Sequence, residues 1–577
     1  MTIDWGYTVP PDEAGGDVAR ALAEANAPRH GDRTPRQWIR ANLFNNWYNS
    51  VITIVFGAFA IWAAYYALRF VFSTAQWQAV SDNLELFMIG TFPRNERTRI
   101  IVQVIMWGGA IGLLVGYFRA RARRQADEAG VELTPVTLRE STSTYGSIAA
   151  FIIFSLAIGA RTSGPYLVVL GAIAACLCGF LATRPLRNPL AKVVLLTPFA
   201  IAAVTLSTVS GLNNQAAYLL AAGATALLLA VNLLHRESLT LSAGLLVGVV
   251  GFQALSGTDG LSWFFLAAAV TPLLFDLLNT VEERLPSGAV GWVGVAIVAA
   301  AAVRRLVVDG LGFASGIVLV LLVAAVITML ANNPGPALRI GGFIVVGAAM
   351  WSIGGAIDLP GIDWAQWSGL HLNIVVSGAA IVLAFPLGLL LALARRSTLP
   401  VLRYMATAYI ELIRGVPLIS LLLMGQFFIG FFLATDDPLS NITRATVAIT
   451  MFSAAYIAEI VRGGLQSVGV GQTEAGQALG LRAAQITLML VLPQALRNVI
   501  SAMVGQFISL FKDTSLLAII GILNFLSVRE IIHAQEAFRA VGIAETLVYV
   551  AFGFWAISFA MSRESQRLER RLGVGTR

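Results

Sequence analysis

Apolar stretches separated by short polar breaks recur from Val51 almost to the C-terminus, without the strict alternation of a membrane β-strand. Each run has about 17 to 25 residues, the length of helix that crosses roughly 30 Å of hydrocarbon. Lipid offers a backbone no hydrogen-bond partners, so the runs predict helices that satisfy their own. The expected fold class is all-α, a polytopic helical membrane protein. Residues 1–45 read differently: they are polar, with Pro, Gly, Asp, Glu and Arg, and no short apolar core ends in a small-residue cleavage site. A removable signal peptide is not expected there.

The pattern divides the rest of the chain into three parts. Residues 46–124 predict a transmembrane hairpin. Arg33, Arg36 and Arg40 precede its first span, and Arg119, Arg121, Arg123 and Arg124 follow its second. Positive flanks stay in the cytoplasm, so residues 74–100 are expected on the other side. Residues 125–365 hold roughly nine shorter spans between 144 and 356, broken by "RPLRNPLAK", "GLNNQ", "LHRES", "SGTDG" and "TVEERLPSG". Alternation puts Arg184, Arg187, Lys192 and Arg236 inside, but leaves Arg304 and Arg305 outside, against the rule. Gly288, Gly291 and Gly294 read as close-packing positions, not as a nucleotide loop.

Residues 366–577 predict five spans: Leu370 to Ala394 ending at Arg395 and Arg396, an outward return over "RYMATAYIELIRGVPLISLLLMGQFFIGFFLA", an inward span to Arg462, a fourth near 497–526 and a fifth near 544–561. The whole chain then has about sixteen spans. Both termini fall in the cytoplasm. So does a polar, glycine-punctuated segment at 463–493, which holds Glu474, Ala475, Gly476, Gly480, Leu492 and Pro493. Small residues there admit a close partner, and Glu474 is expected near the start of a short helix, where the dipole favours an acid.

Composition agrees with this picture. Of 577 residues, 57% are hydrophobic and 12% charged, off the balance of a soluble domain. The net charge of +7 comes from arginines at span ends, so a nucleic-acid partner is not expected. Cys176 and Cys178 lie one residue apart in an apolar run and imply no disulfide framework or metal site. His371 and His533 have no carboxylate at ligand spacing and read as interfacial residues; Asp358 and Asp363 flank Pro360 in a loop, as a solvated turn. The chain has two lysines, Lys192 after Ala191 and Lys512 after Phe511, so these residues hold no Gly-Lys phosphate loop. The chain is therefore not expected to be a P-loop ATPase itself.

The 463–493 segment resembles the permease subunits of ABC importers, whose pattern is Glu-Ala-Ala, three residues, Gly, nine residues, then a hydrophobic residue, any residue and Leu-Pro. Glu474, Ala475, Gly480, Leu490, Leu492 and Pro493 meet it; Gly476 replaces the second Ala and Leu490 the usual Ile. Glycine at 476 loosens the helix by up to about 1 kcal/mol against Ala. "ELIRGVPL" (Glu411 to Leu418), "AYIAEIVRGGLQS" (Ala455 to Ser467) and "FKDTSLL" (Phe511 to Leu517) narrow the likeness to the polar amino acid permeases. This resemblance covers 366–577. Upstream, "ANLFNNWYNSVITI" and "LFMIGTFPRNERTRI" are similar to the leading hairpin of the longer permeases of general L-amino acid and glutamate/glutamine/aspartate/asparagine importers. The middle spans exceed what that group leads one to expect.

The resemblance implies a type I ABC-importer permease core with extra N-terminal transmembrane helices, in a bacterial inner membrane. It implies an ABC ATPase dimer, a second permease subunit and an extracytoplasmic amino-acid-binding protein as partners, beside membrane lipid and the amino acid substrate. ATP and Mg belong to the ATPase, which is expected to couple to this chain through Glu474, Ala475, Gly476, Gly480, Leu492 and Pro493; no cofactor belongs to this chain, a transport subunit and not an enzyme.

Charged residues within the spans carry two readings each. Glu411 with Arg414, and Glu459 with Arg462, are acid and base at i and i+3. They are either snorkelling partners or a latch at the inner mouth of the path. Lys512, Asp513, Thr514 and Ser515 interrupt an apolar span, where a charge costs about 2.5 to 3.5 kcal/mol. They either meet a zwitterionic substrate or serve the core structurally; Gln506 and Asn498 on the same span are weaker candidates of that kind. The main alternative function is an ion-coupled secondary transporter of small polar solutes, for which Asp513 fits but no internal duplication is visible. An intramembrane enzyme would need converging His, Asp or metal-ligand residues, and the four histidines are scattered.

Overall fold

The computed structural model describes residues 35–129, 138–159, 164–184, 237–256, 366–432, 440–539 and 541–571, with short pieces between 231 and 363. Among them every regular element is helical, and the sole bridge pairs Gly369 with Asn524. Among the described residues seven helices are long and apolar enough to cross a membrane, or up to eight if a bent pair counts as one span. Most of the nine expected middle spans, with Gly288, Gly291, Gly294, Arg187, Lys192, Arg236, Arg304, Arg305 and Asp358, lie outside the described residues.

The chain divides into two units, 1–76 and 77–577. This boundary falls inside the expected hairpin at 46–124. In the first unit, α1 (Trp47–Arg69) is apolar along its length and ends in a π-wound turn, Phe70–Thr74. The second unit holds everything else.

Helix α2 (Arg97–Ala129) carries two of the described helices of the middle region. It packs against α4 (Gly164–Ala182) and α5 (Glu237–Ser256). Gly108, Gly112 and Gly116, one per turn of α2, meet Ala172, Cys176 and Thr183; a methyl at Gly108 would sit 2.5 Å from the Ala172 carbonyl oxygen. Small residues in register let two backbones approach in lipid, where burial of apolar surface gives no drive of its own. Arg124 pairs with Glu237 at 2.8 Å, and the guanidinium groups of Arg119 and Arg184 each lie over the Phe180 ring, 5.8 and 4.7 Å from its centroid.

Helix α3 (Leu138–Gly159) packs elsewhere, along α12 (Ile543–Arg571). Ser147 donates to the Ala556 carbonyl at 2.8 Å, Ser155 lies 2.8 Å from the Tyr549 hydroxyl, and Arg567 donates to Thr144 at 2.8 Å. Phe151 and Phe154 pack on Tyr549 and Phe552 between these bonds.

The remaining elements form the 366–577 region: α6 (Gly369–Arg395), α7 (Pro400–Gly415), α8 (Leu418–Phe432), α9 (Asn441–Ser467), α10 (Val470–Ala478), α11 (Leu492–Asp513) and α12. Helix α9 is central, with α6, α7, α8 and α11 around it. The expected second span is not one helix: α7 and α8 meet at a bend of 106°. Pro417 has no N–H to give and crowds its predecessor, so Val416 is extended (φ −105°, ψ 135°) and both helices stop at the junction. The expected fourth span also differs. Helix α11 begins at Leu492 and passes at Thr514 into a tighter 3-10 stretch, which Gly521 closes at φ 77°, so the span does not continue to 526. The fifth helix runs past 561 to Arg571.

Two ends of this bundle are distinguished by their contacts. At the start of α6, Ser368 bonds Ile89 and Thr91, and Gly369 bonds Leu523. At its far end lie Arg395, the α9–α10 junction and the start of α11.

Candidate functional site

The segment between α9 and α11 is folded by its own hydrogen bonds. At the end of α10, Leu481 N–H bonds the Gly476 carbonyl at 3.0 Å and Gly480 N–H bonds the Gln477 carbonyl at 2.9 Å, a Schellman closure. Closure puts Gly480 at φ 74°, a conformation that strains any side chain. Arg482 N–H then bonds the Gln485 side chain at 2.9 Å, and a π-wound stretch, Ile486–Val491, leads into α11. Gln494 reaches Gln472 at 3.2 Å, and Asn498 donates to Ser467 at 2.9 Å, so α11 is fastened to α10 and to the end of α9.

Within this fold the expected coupling residues separate by exposure. Glu474, Ala475, Gly480 and Pro493 are exposed, whereas Gly476 and Leu492 are buried. Gly476 faces this chain's own π-wound stretch: a methyl there would lie 2.9 Å from Ile486 and 3.1 Å from Leu490. Glu474 is the fifth residue of α10, outside the first turn, so the expected dipole contribution is not in place. Val470 (72% exposed) and Leu479 (78% exposed) flank it with uncovered apolar surface.

Beside this segment, the ends of α6, α7 and α9 converge on one carboxylate. Glu459 accepts from Arg462 through Nε at 3.0 Å and Nη2 at 2.8 Å, pairs with Arg414 at 3.6 Å, and accepts from Arg395. Glu411 is held by Arg395 at 2.8 Å. The expected Glu411–Arg414 pair is therefore exchanged for contacts between helices. Their i, i+3 spacing puts both on one face of α7, and that face lies over α6 and α9, which supply nearer partners. Arg414 also lies over the Tyr456 ring, 5.5 Å from its centroid. The sequence marked Arg395 only as the end of a span, because its partners lie 16 and 64 residues away along the chain.

The polar stretch at the other end of α11 also divides. Thr514 is buried; its hydroxyl donates to the Phe511 carbonyl at 2.6 Å and accepts from Asn373 at 2.8 Å. Asn524 donates to the carbonyls of Thr514 and Ser515 at 2.9 and 2.8 Å, and Asn373 accepts from Phe525 N–H at 2.9 Å. This network ties α6 to the 3-10 turn, and both asparagines went unmarked in their apolar surroundings. Asp513 is half-buried and Lys512 exposed; among the described residues neither side chain has a hydrogen-bond partner. Gln506 is half-buried on the same helix. His371 is buried within the protein, 2.6 Å from Gln103, with Trp107 and Trp367 against its ring. His533 lies within 3.1 Å of the Phe538 carbonyl and 3.0 Å of the Thr546 hydroxyl. Asp363 is exposed, and its carbonyl accepts from Gln366.

Residues 384–574, which carry both the folded segment and the Glu459 cluster, match the family described as binding-protein-dependent transport system inner membrane component. A probable glutamine ABC transporter permease protein, GlnP of Bacillus subtilis (strain 168), is 34% identical over 210 residues, and this chain covers 92% of it. The chain belongs to that family. The inner membrane amino-acid ABC transporter permease protein YhdY of Escherichia coli (strain K12) is 40% identical over 222 residues, 38% of this chain. The glutamate/glutamine/aspartate/asparagine transport system permease protein BztC of Rhodobacter capsulatus is 37% identical over 257 residues, 42% of this chain. The chain spans 60% of YhdY and 59% of BztC. Of solved structures, an amino acid ABC transporter crystallised with histidines overlaps 35% of this chain and 92% of its own, at 28% identity and a TM-score of 0.32.

Proposed function

We propose that this chain is the membrane-spanning permease of an ATP-driven importer for polar L-amino acids, energised through Glu474 to Pro493 by a separate ATPase dimer. The observation that carries the reading is the self-closed, exposed α10 segment hung between two membrane helices, with Glu474, Val470 and Leu479 uncovered. An element folded independently of the membrane helices but fastened to both moves as a unit, which a mechanical coupler requires. The named substrates of GlnP and BztC support the amino acid class.

A second permease subunit belongs to the same reading. Along α11, Asn498, Ser501, Ala502, Gly505, Ser509 and Lys512 are all exposed, small or polar. Lipid does not solvate such a stripe, so it faces a second permease chain and the water-filled path between the two. The Glu459 cluster then latches the inner end of that path, with the segment and both termini in the cytoplasm and the Ser368 end facing an amino-acid-binding protein. ATP and Mg act on the ATPase alone.

The test is Glu474→Arg in the assembled importer. Amino acid uptake falls to background while the chain still inserts and binding-protein-stimulated ATP hydrolysis is lost. Wild-type stimulation in that variant contradicts the assignment.

A further inference from the structure

Arg444 sits in the first turn of the membrane helix α9, where the helix dipole disfavours a cation. Among the described residues it has no carboxylate partner; its Nη1 donates to the backbone carbonyl of Gln426 in α8 at 2.9 Å. Its Nε, shut off from solvent, has no acceptor, and the Oε1 of Gln426, equally shut off, has no donor. An unmet charge-bearing donor on α9 and an unmet neutral acceptor on α8 thus belong to two residues joined through the Gln426 backbone carbonyl, both on apolar helices. Such groups are costly to keep unless something polar meets them.

Three features ask for the same ligand. A guanidinium whose Nε–H is unmet and a helix N-terminus both attract a carboxylate, and the donor-free amide oxygen of Gln426 accepts from an ammonium group. We infer that Arg444 and Gln426 form a zwitterion-reading site, Arg444 taking the α-carboxylate and Gln426 the α-ammonium of an amino acid in transit. The inference rests on the importer reading and adds a site to it. The Thr514–Ile520 turn, directly after Asp513, packs on the same helix α8, which joins this site to the polar end of α11. Both unsatisfied atoms are shielded here, so the site is shut. Helix α8 opens it by moving about the Val416–Pro417 bend.

The experiment uses the permease assembly with its ATPase in lipid nanodiscs and measures binding of labelled L-glutamine, L-glutamate and L-arginine, and of their α-amides, without binding protein. In the wild type the acids bind at least about tenfold tighter than the amides. Arg444→Gln abolishes that preference while the melting temperature shows the chain folded, and Arg444→Lys restores part of it. Gln426→Leu weakens acid and amide alike. The inference fails if Arg444→Gln keeps the preference, or if the wild-type assembly imports amino acids yet shows no preference. Failure of the importer reading shows separately, as absence of ATP-driven uptake by the wild-type assembly.

Discussion

At the scale of single residues, two acids in similar motifs have different weight. The Glu459 side chain is 15% exposed and serves three arginines, whereas Glu411 is 60% exposed and serves Arg395. Solvent screens the second pair, so Glu411→Gln costs under about 1 kcal/mol. Glu459→Gln leaves three guanidinium groups without their shared carboxylate and costs roughly 3 kcal/mol. Thermal melting of the purified chain separates the two, and equal losses would refute the hub. Gly480→Ala forces a side chain into the left-handed region at about 1–2 kcal/mol. It is read as faster amide exchange over residues 470–481, with the membrane helices unchanged. Glu459, Arg462 and Gly480 were legible because local spacing governs them. The Arg395 contact and the Asn373–Thr514–Asn524 network were not, because partners distant in sequence meet only after the helices pack.

Among elements, helices were legible by type and less so by extent. Apolar runs announce helices in lipid, but hydropathy does not register direction, so the run from Arg403 to Ala434 looked like one span. Pro417 was the available signal for the bend between α7 and α8. Two spin labels, one on each helix, test it: Pro417→Ala lengthens their separation and slows uptake if the bend is the hinge of α8. The middle region is not uniform either. Its first helix, α3, is bonded along α12 through Thr144, Ser147 and Ser155, whereas α4 and α5 ride on α2. A double-mutant cycle between Thr144 and Arg567 should give a coupling of about 0.6 kcal/mol, the scale of polar contacts between membrane helices. Zero coupling would mark α3 as loosely attached.

For the whole molecule, one end of the 366–577 bundle gathers the Glu459 cluster and the α10 segment, and the other gathers Ser368, Asn373 and Asn524. In the proposed reading, force enters at the first end, reaches solute sites along the helices, and comes from another chain. Purifying the tagged chain from its native membrane and identifying what accompanies it tests this most directly. The account predicts a nucleotide-binding ATPase and a second permease in the complex, with amino acid uptake that stops when ATP is withdrawn. A chain recovered alone, whose transport follows a proton or sodium gradient, would contradict it.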